Sequence, residues 1–509
     1  MKKAKLFTVI SLCVFVLCTA VFAADFEKSR TYTNNFSDVP ADSWYSDSVA
    51  SVYEIALMEG VSDTKFDTES EISVAQAITI AARLHSIYND TQIPDVSSGR
   101  WFQKYVNYCL DKKIITANQF DSYTRSVLSF EMVELFASAL PKEYYPAINN
   151  ITYVHDVPSD IRFHDDVLMF YNAGILNGND STGTFLPMSA ITRKRAAVIL
   201  SRTAIKEKRQ KFTLEKSKSV YSAHEIFSLV DKQTVKETLD DIILAAYGGC
   251  SITASEYRYY SFLSGGNDAE TENSIKDSIA TEKYIKDINL TVSAEDYQSI
   301  LVSYYSSRIS NYGNSSYFDA LDSTRLTDAA FAKLIALDKL DYLARINECK
   351  NISADEVLDY VTKNNYICVK NLFISKESDD AYRTALGIYM SLSEGEDFDT
   401  LLKEQGEDPV MSGGNSGYIF TKGMMEKPFE NAAYELKTGK ISEIVETSGG
   451  YHILKRVKLD KQTLISSHDY TTISAKAGSL KFSNKISDLK DTVTLLYVDN
   501  FEGLSEILK

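Results

Sequence analysis

Proline is scarce in this chain, 8 residues in 509, so long stretches hold nothing that would interrupt a helix. Cysteine is scarce as well. Of the six, Cys13 and Cys18 lie within the first 23 residues, while Cys109, Cys250, Cys349 and Cys368 stand far apart with no CxxC pair. Such spacing supports neither a disulfide framework nor a zinc site; no metal and no cofactor are expected. Positive charge is outnumbered, 54 Lys and Arg against 70 Asp and Glu, for a net charge of −16. A field of that sign opposes general attraction to nucleic acid or anionic lipid. What remains is ordinary globular material, 44% apolar and 24% charged, in a chain too long for one core, so several domains are expected.

The chain opens Met1-Lys2-Lys3-Ala4-Lys5, runs apolar from Leu6 to Phe22 and closes on Val21-Phe22-Ala23. Residues 1–23 read as a secretory signal peptide. The apolar run is at the short end for a spanning helix, and Leu17 before Cys18 does not suit a lipid attachment site. A secreted protein with no stable membrane insertion after cleavage is expected.

Three segments, 36–90, 91–150 and 151–205, share one grammar. Each opens on an Asp-Val phrase, Asp38-Val39, Asp95-Val96 or Asp156-Val157, followed by Trp44, Trp101 or Phe163 and then two helical stretches. These three aromatics are read as core residues. Repeat three continues Gly174-Ile175-Leu176-Asn177-Gly178, Gly183-Thr184-Phe185-Leu186-Pro187 and Ile191-Thr192-Arg193-Lys194-Arg195. Thr192 suits a helix N-cap, and the amides beside Arg193 would offer an anion both a dipole and a fork of donors. The repeats resemble the S-layer-homology family. That resemblance implies an all-α three-repeat domain that binds secondary cell-wall polysaccharide, commonly pyruvylated, through Thr192 and Arg193. Repeats one and two depart from it, with Ser73-Val74-Ala75-Gln76 and Leu128-Ser129-Phe130-Glu131 at that place.

Residues 206–224 are charged and read as a solvated linker or helix. From 225 to 362 the pattern is mainly helical, through Val235, Leu239, Ile242, Ile243 and Ala246, and again through Phe331, Leu334, Ile335, Leu337 and Leu340. After Gly248-Gly249, Thr253 and Glu256 have capping-box spacing. The organisation is similar to the helical chaperone domain of extracytoplasmic parvulins, and 461–509 is a C-terminal segment that could complete it.

Within 363–460, Val369-Lys370-Asn371-Leu372-Phe373-Ile374 reads as a strand, and ordered phrases follow: Gly413 to Phe420, Gly423 to Tyr434, Gly439-Lys440-Ile441-Ser442 and Gly449-Gly450-Tyr451-His452-Ile453. They resemble the parvulin (PpiC, rotamase) family, an α+β domain with an antiparallel sheet and surrounding helices. The resemblance implies peptidyl-prolyl cis-trans isomerisation, with Met425, Phe429 and Tyr418 binding substrate. Four residues apart, Met425 and Phe429 would share one helix face. His452 matches the histidine of a hydrogen-bonded floor. Asn371 stands where the family has a first histidine, and either Glu407 or Asp408 fills its cysteine-or-aspartate position. Asn415 and Ser416 replace the usual aspartate and leucine.

The expectation is therefore a multidomain, cell-wall-attached isomerase that helps exported polypeptides fold at X–Pro segments. The alternatives are a wall-anchored holdase with a weak isomerase domain, or a structural S-layer protein.

Overall fold

Two of the three Asp-Val phrases anchor a loop of their own repeat. In a computed structural model describing residues 26–508 except 121, 235, 311–316, 378 and 500, Asp38 accepts N–H bonds from Phe66 and Asp67 at 2.8 and 2.6 Å. Asp156 does the same for Phe185 and Leu186, at 3.0 and 2.7 Å. Each loop turns through a left-handed residue, Asp67 (φ 66°) or Leu186 (φ 59°), which gathers successive amides into a nest for one carboxylate. Asp95 instead pairs with Lys104 at the surface, at 2.8 Å. The stretch read as a signal peptide lies outside the described residues.

The repeats supply helices α1 (Ser46–Glu54) and α2 (Val74–Tyr88), α3 (Gln103–Asp111) and α4 (Ser129–Ala139), α5 (His164–Asn172) and α6 (Arg193–Ala204). Their second helices begin around a closed cycle. The Ile72 amide donates to the Ile191 carbonyl, Ile191 to Val127 and Val127 back to Ile72, at 2.9, 3.3 and 2.9 Å. The first amides of each second helix then go to the neighbouring repeat: Val74 to Arg125, Ser129 to Ser189, and Arg193 to Ser70. Orphan helix donors are thereby satisfied by protein.

That cycle corrects the reading of Thr192 and Arg193. Thr192 is the N-cap residue, but its hydroxyl caps nothing and is buried without a partner. Arg193 is 6% exposed. Its Nε donates to the Phe66 carbonyl at 2.7 Å and its Nη2 to the Glu59 carbonyl at 2.6 Å, with the guanidinium over the Phe66 ring. The fork of donors is spent on repeat one, so this is a clamp between repeats and not an open anion site.

Trp44 and Trp101 are not core residues either; they are 66% and 60% exposed. The residues after them, Tyr45 and Phe102, are buried and precede α1 and α3 as Phe163 precedes α5. Counted from the opening aspartate, Tyr45, Phe102 and Phe163 all stand at the seventh place, which is the true register of the core aromatic. Nor is 206–224 a free linker throughout. Gln210 donates its amide to Gly174, Glu215 to Ser181, and the Arg209 guanidinium lies over Tyr144.

The chain divides into two compact units, and the stretch 225–362 is shared between them: 229–235 and 294–323 group with the repeats. The other unit holds Val220–Ser228, Lys236–Ser293 and Thr324–Lys509. In it the long helices Asp268–Asp287, Asp328–Asn351 and Tyr470–Thr492, the last of them from the C-terminal segment, pack on one another. Ile243 and Ala246 are not helical as their spacing suggested. They belong to strand Ile243–Tyr247, which turns through Gly248 (φ 57°) and Gly249 (φ 81°) into strand Cys250–Thr253. A two-glycine turn with positive φ at both positions is a hairpin signal, and it outweighs a short helical period. Thr253 and Glu256 form the expected capping box. Among the described residues no helix is long and apolar enough to cross a membrane.

The same unit carries a four-stranded antiparallel sheet. Strands β1 (Ile367–Ser375), β2 (Tyr418–Phe420), β3 (Val445–Glu446) and β4 (Gly450–Val457) lie in the order β2-β1-β4-β3. Helices α7 (Ala381–Glu394) and α8 (Phe398–Gln405) cover one face, where Leu372, Ile374 and Ile453 meet Ile388, Phe398 and Leu401. After the short α9 (Pro409–Ser412), α10 (Lys427–Glu435) covers part of the other, where Val369 and Leu454 meet Phe429 and Ala433.

Candidate active site

Alternation along β1 and β4 decides which side chains reach the α10 face. Val369, Asn371 and Phe373 share one side of β1 because strand side chains alternate. The β1–β4 register sets Phe373 opposite His452 and Asn371 opposite Leu454. Asn371 and His452 thus meet beside α10, over a cavity of about 470 Å³ whose walls include Met425, Phe429, Tyr418, Glu426 and Thr447.

The floor is a directed chain of hydrogen bonds. Asp408 caps α9, accepting from the Val410 and Met411 amides at 2.9 and 3.3 Å. Its carboxylate also accepts from the Tyr418 hydroxyl at 3.0 Å and from Asn371 Nδ2 at 2.8 Å. With Nδ2 committed, Asn371 turns its Oδ1 toward His452 Nδ1, 2.9 Å away. A carbonyl oxygen only accepts, so this pairing assigns the proton to Nδ1 and leaves Nε2 as an acceptor. Thr447 Oγ1 lies 2.8 Å from Nε2 and donates to it. Burial lowers the His452 pKa from 6.5 to about 4, so the ring is neutral at neutral pH. A histidine in place of Asn371 could carry its proton on either nitrogen; the amide holds the chain in one direction.

Of the two acidic candidates, the structure brings Asp408 into the site and leaves Glu407 out. Glu407 is exposed and accepts from the Ser375 amide at 2.7 Å. Met425 and Phe429 both line the cavity, but not as one helix face, since α10 starts at Lys427. Met425 comes from the loop and Phe429 from the first turn. Phe429 meets His452 edge-on, with ring centroids 5.2 Å apart, and packs on Phe420 at 5.8 Å. Asn415 and Ser416 serve the loop, donating to the Val410 and Thr463 carbonyls at 2.6 Å.

Sequence reasoning missed Phe373, Thr447 and Glu426. Phe373 was reachable, being two residues from Asn371 on the same strand. No motif marks Thr447, which acts only because β3 and β4 set it against His452.

The Rotamase family model, a PPIC-type PPIASE domain, matches residues 366–458. This stretch is a PPIC-type peptidyl-prolyl isomerase domain. Around it the chain is similar to the foldase protein PrsA of Geobacillus kaustophilus, 35% identical over 135 residues, which are 26% of this chain and 45% of the relative. PrsA of Caldanaerobacter subterraneus subsp. tengcongensis is 26% identical over 259 residues, 45% of this chain and 77% of the relative. The chain thus spans less than half the length of the first of these curated relatives. Among solved structures, the parvulin NmPin of Nitrosopumilus maritimus is 40% identical, covering 18% of this chain and 96% of its own, with a TM-score of 0.16. PrsA from Bacillus subtilis is 19% identical, covering 51% and 96%, with a TM-score of 0.20.

The PPIC-type domain carries a pH signature. Protonating His452 removes the Nε2 acceptor, so kcat/KM should hold level from pH 8 to about 5.5 and fall as pH nears about 4. Stability follows the same group. Because folding holds the imidazole below its ordinary 6.5, the unfolded chain takes up the proton first. The associated stability is complete above pH 6.5, declines as pH falls toward about 4, and is level below that. A pH series of prolyl exchange and urea unfolding checks both; a rate rising through this window contradicts a neutral His452.

Proposed function

We propose that this chain is an extracytoplasmic foldase whose PPIC-type domain isomerises X–Pro bonds in exported polypeptides. The observation that carries this is the apolar cup of Met425 and Phe429 set over the polar chain Asp408, Asn371, His452 and Thr447. Rotation about a peptide bond faces a barrier of about 18–20 kcal/mol, and uncatalysed prolyl exchange takes roughly tens to hundreds of seconds. The reaction makes no bond and moves no proton. A catalyst needs only to bind the twisted amide better than either planar form. The cup would hold the pyrrolidine ring out of water. The floor, already satisfied and oriented, would present fixed dipoles to the amide as its resonance is lost. A protease-coupled prolyl-peptide assay on the full chain tests this. If the chain suppresses client aggregation without accelerating exchange, the holdase alternative takes its place.

A second reading, attachment to cell-wall polysaccharide through the repeats, is favoured by a different place than Arg193. A cavity of about 250 Å³ is bounded by Trp44 of repeat one and by Asn177, Asn179, Arg195 and Arg202 of repeat three. An exposed indole platform beside guanidinium and amide groups suits an anionic sugar. Arg195→Ala combined with Trp44→Ala should weaken sedimentation with purified walls by about tenfold. Arg193→Ala should act on stability, by about 2–3 kcal/mol, since it strands two carbonyls. Undiminished pelleting of the double variant would remove this cavity from wall binding; a chain that never pellets would leave the S-layer and wall-anchor readings without support.

A further inference from the structure

We propose that Glu426 sets the preference for the residue preceding proline, favouring Lys or Arg there over Asp or Glu. The proposal deepens the isomerase reading and rests on it.

Glu426 sits between the two residues that form the cup's apolar wall in sequence, one after Met425 and three before Phe429, and it bounds the cavity with them. Its position is fixed twice. Its carbonyl accepts the Glu430 amide at 2.9 Å, opening α10. Its carboxylate accepts from the Ser448 amide at 3.1 Å and from the Ser448 hydroxyl at 2.8 Å. Those bonds from Ser448 hold its pKa below the usual carboxylate value, so the charge is permanent near neutral pH. The side chain is otherwise exposed, at the mouth and not in the floor.

The charge is not cancelled from the elements around it. Lys376 faces Glu426, but its Nζ is held by the Glu446 carboxylate at 2.8 Å and by the Thr447 carbonyl at 2.7 Å. His452 is neutral. On α10, Glu430 is bound to the Gly423 amide at 2.6 Å, and Lys427 is exposed. Past β1 the chain continues with Glu377, Asp379 and Asp380, adding no cation. Three carboxylates, Glu426, Glu430 and Glu446, thus stand against two lysines, Lys376 and Lys427, and the group keeps a net negative charge. With the proline ring in the cup and its amide over Asn371 and His452, the preceding side chain leaves by the mouth, where an ionised carboxylate is waiting. A cation there is attracted and an anion repelled, while an aliphatic residue is indifferent.

The test uses the full chain and two sets of short peptides, one with Lys, Ala or Glu before proline and one with the same residues after it. Exchange is read on the peptide by NMR and affinity by calorimetry. At low ionic strength kcat/KM for Lys before proline should exceed that for Glu by about fivefold, the scale of an exposed ion pair, and added salt should shrink the ratio. Glu426→Gln should bring it near one, and Glu426→Lys should invert it. A wild-type ratio near one, a ratio that survives in Glu426→Gln, or one that follows the residue after proline overturns the proposal. If no peptide exchanges faster, the isomerase reading fails by itself; the affinity ratio of the same peptides still decides Glu426 on the same terms.

Discussion

Replacing Phe429 with alanine should lower kcat/KM for an X–Pro peptide by about 100-fold or more, the largest catalytic effect available to a single side chain here. Phe429 touches both parts of the site. Its ring closes the cup beside Met425, and its edge meets the His452 ring at 5.2 Å. It is also 6% exposed and belongs to the core formed with Phe420, Val369 and Leu454, so truncation should cost about 3–5 kcal/mol of stability. Phe429→Leu separates the two effects. Leucine keeps most of the volume and loses the flat wall, so it should leave the domain folded while still lowering turnover by about tenfold. Thermal unfolding beside the peptide assay checks both. Near wild-type rates for a folded Phe429→Ala chain would mean that proline binds elsewhere.

Asp408→Asn comes next, with an expected loss of about 10- to 30-fold in kcat/KM and about 2 kcal/mol in stability. Four donors converge on this carboxylate: two backbone amides of α9, the Tyr418 hydroxyl and Asn371 Nδ2. An amide has one accepting atom and one donating atom. It must set its own N–H groups against a donor, and either Tyr418 or Asn371 turns away. If Asn371 rotates, His452 loses the acceptor that fixes its Nδ1 proton. Imidazole ¹⁵N shifts would report the change of tautomer, which a purely structural defect in α9 would not produce. Unaltered shifts together with full activity would show that the direction of the chain does not matter.

What was legible in the sequence was local. The strand through Asn371 and the capping box at Thr253 and Glu256 each follow from neighbouring residues, whereas the strand before Gly248-Gly249 read as helix through Ile243 and Ala246. The resemblance of the ordered phrases to the parvulin family implied one site for Asn371, His452, Met425 and Phe429, and these four side chains border one cavity. What was misread depended on distant partners. Arg193 looked free because Phe66 and Glu59, whose carbonyls it binds, are more than a hundred residues away. The tryptophans drew the eye as core residues, yet Tyr45 and Phe102 hold that place, one position on. The choice between Glu407 and Asp408 needed the position of α9 against β1, which no spacing within one segment encodes.

The cycle joining Ile72, Val127 and Ile191 makes the repeats interdependent in a way that stacked repeats are not. In an open array each unit touches only its neighbours, and length can grow or shrink by whole units. Here the first repeat completes the third. Deleting one repeat strands the opening amides of a helix in another, and adding a fourth has no vacant edge to occupy. The three should therefore melt as one cooperative block, and copy number is fixed by geometry.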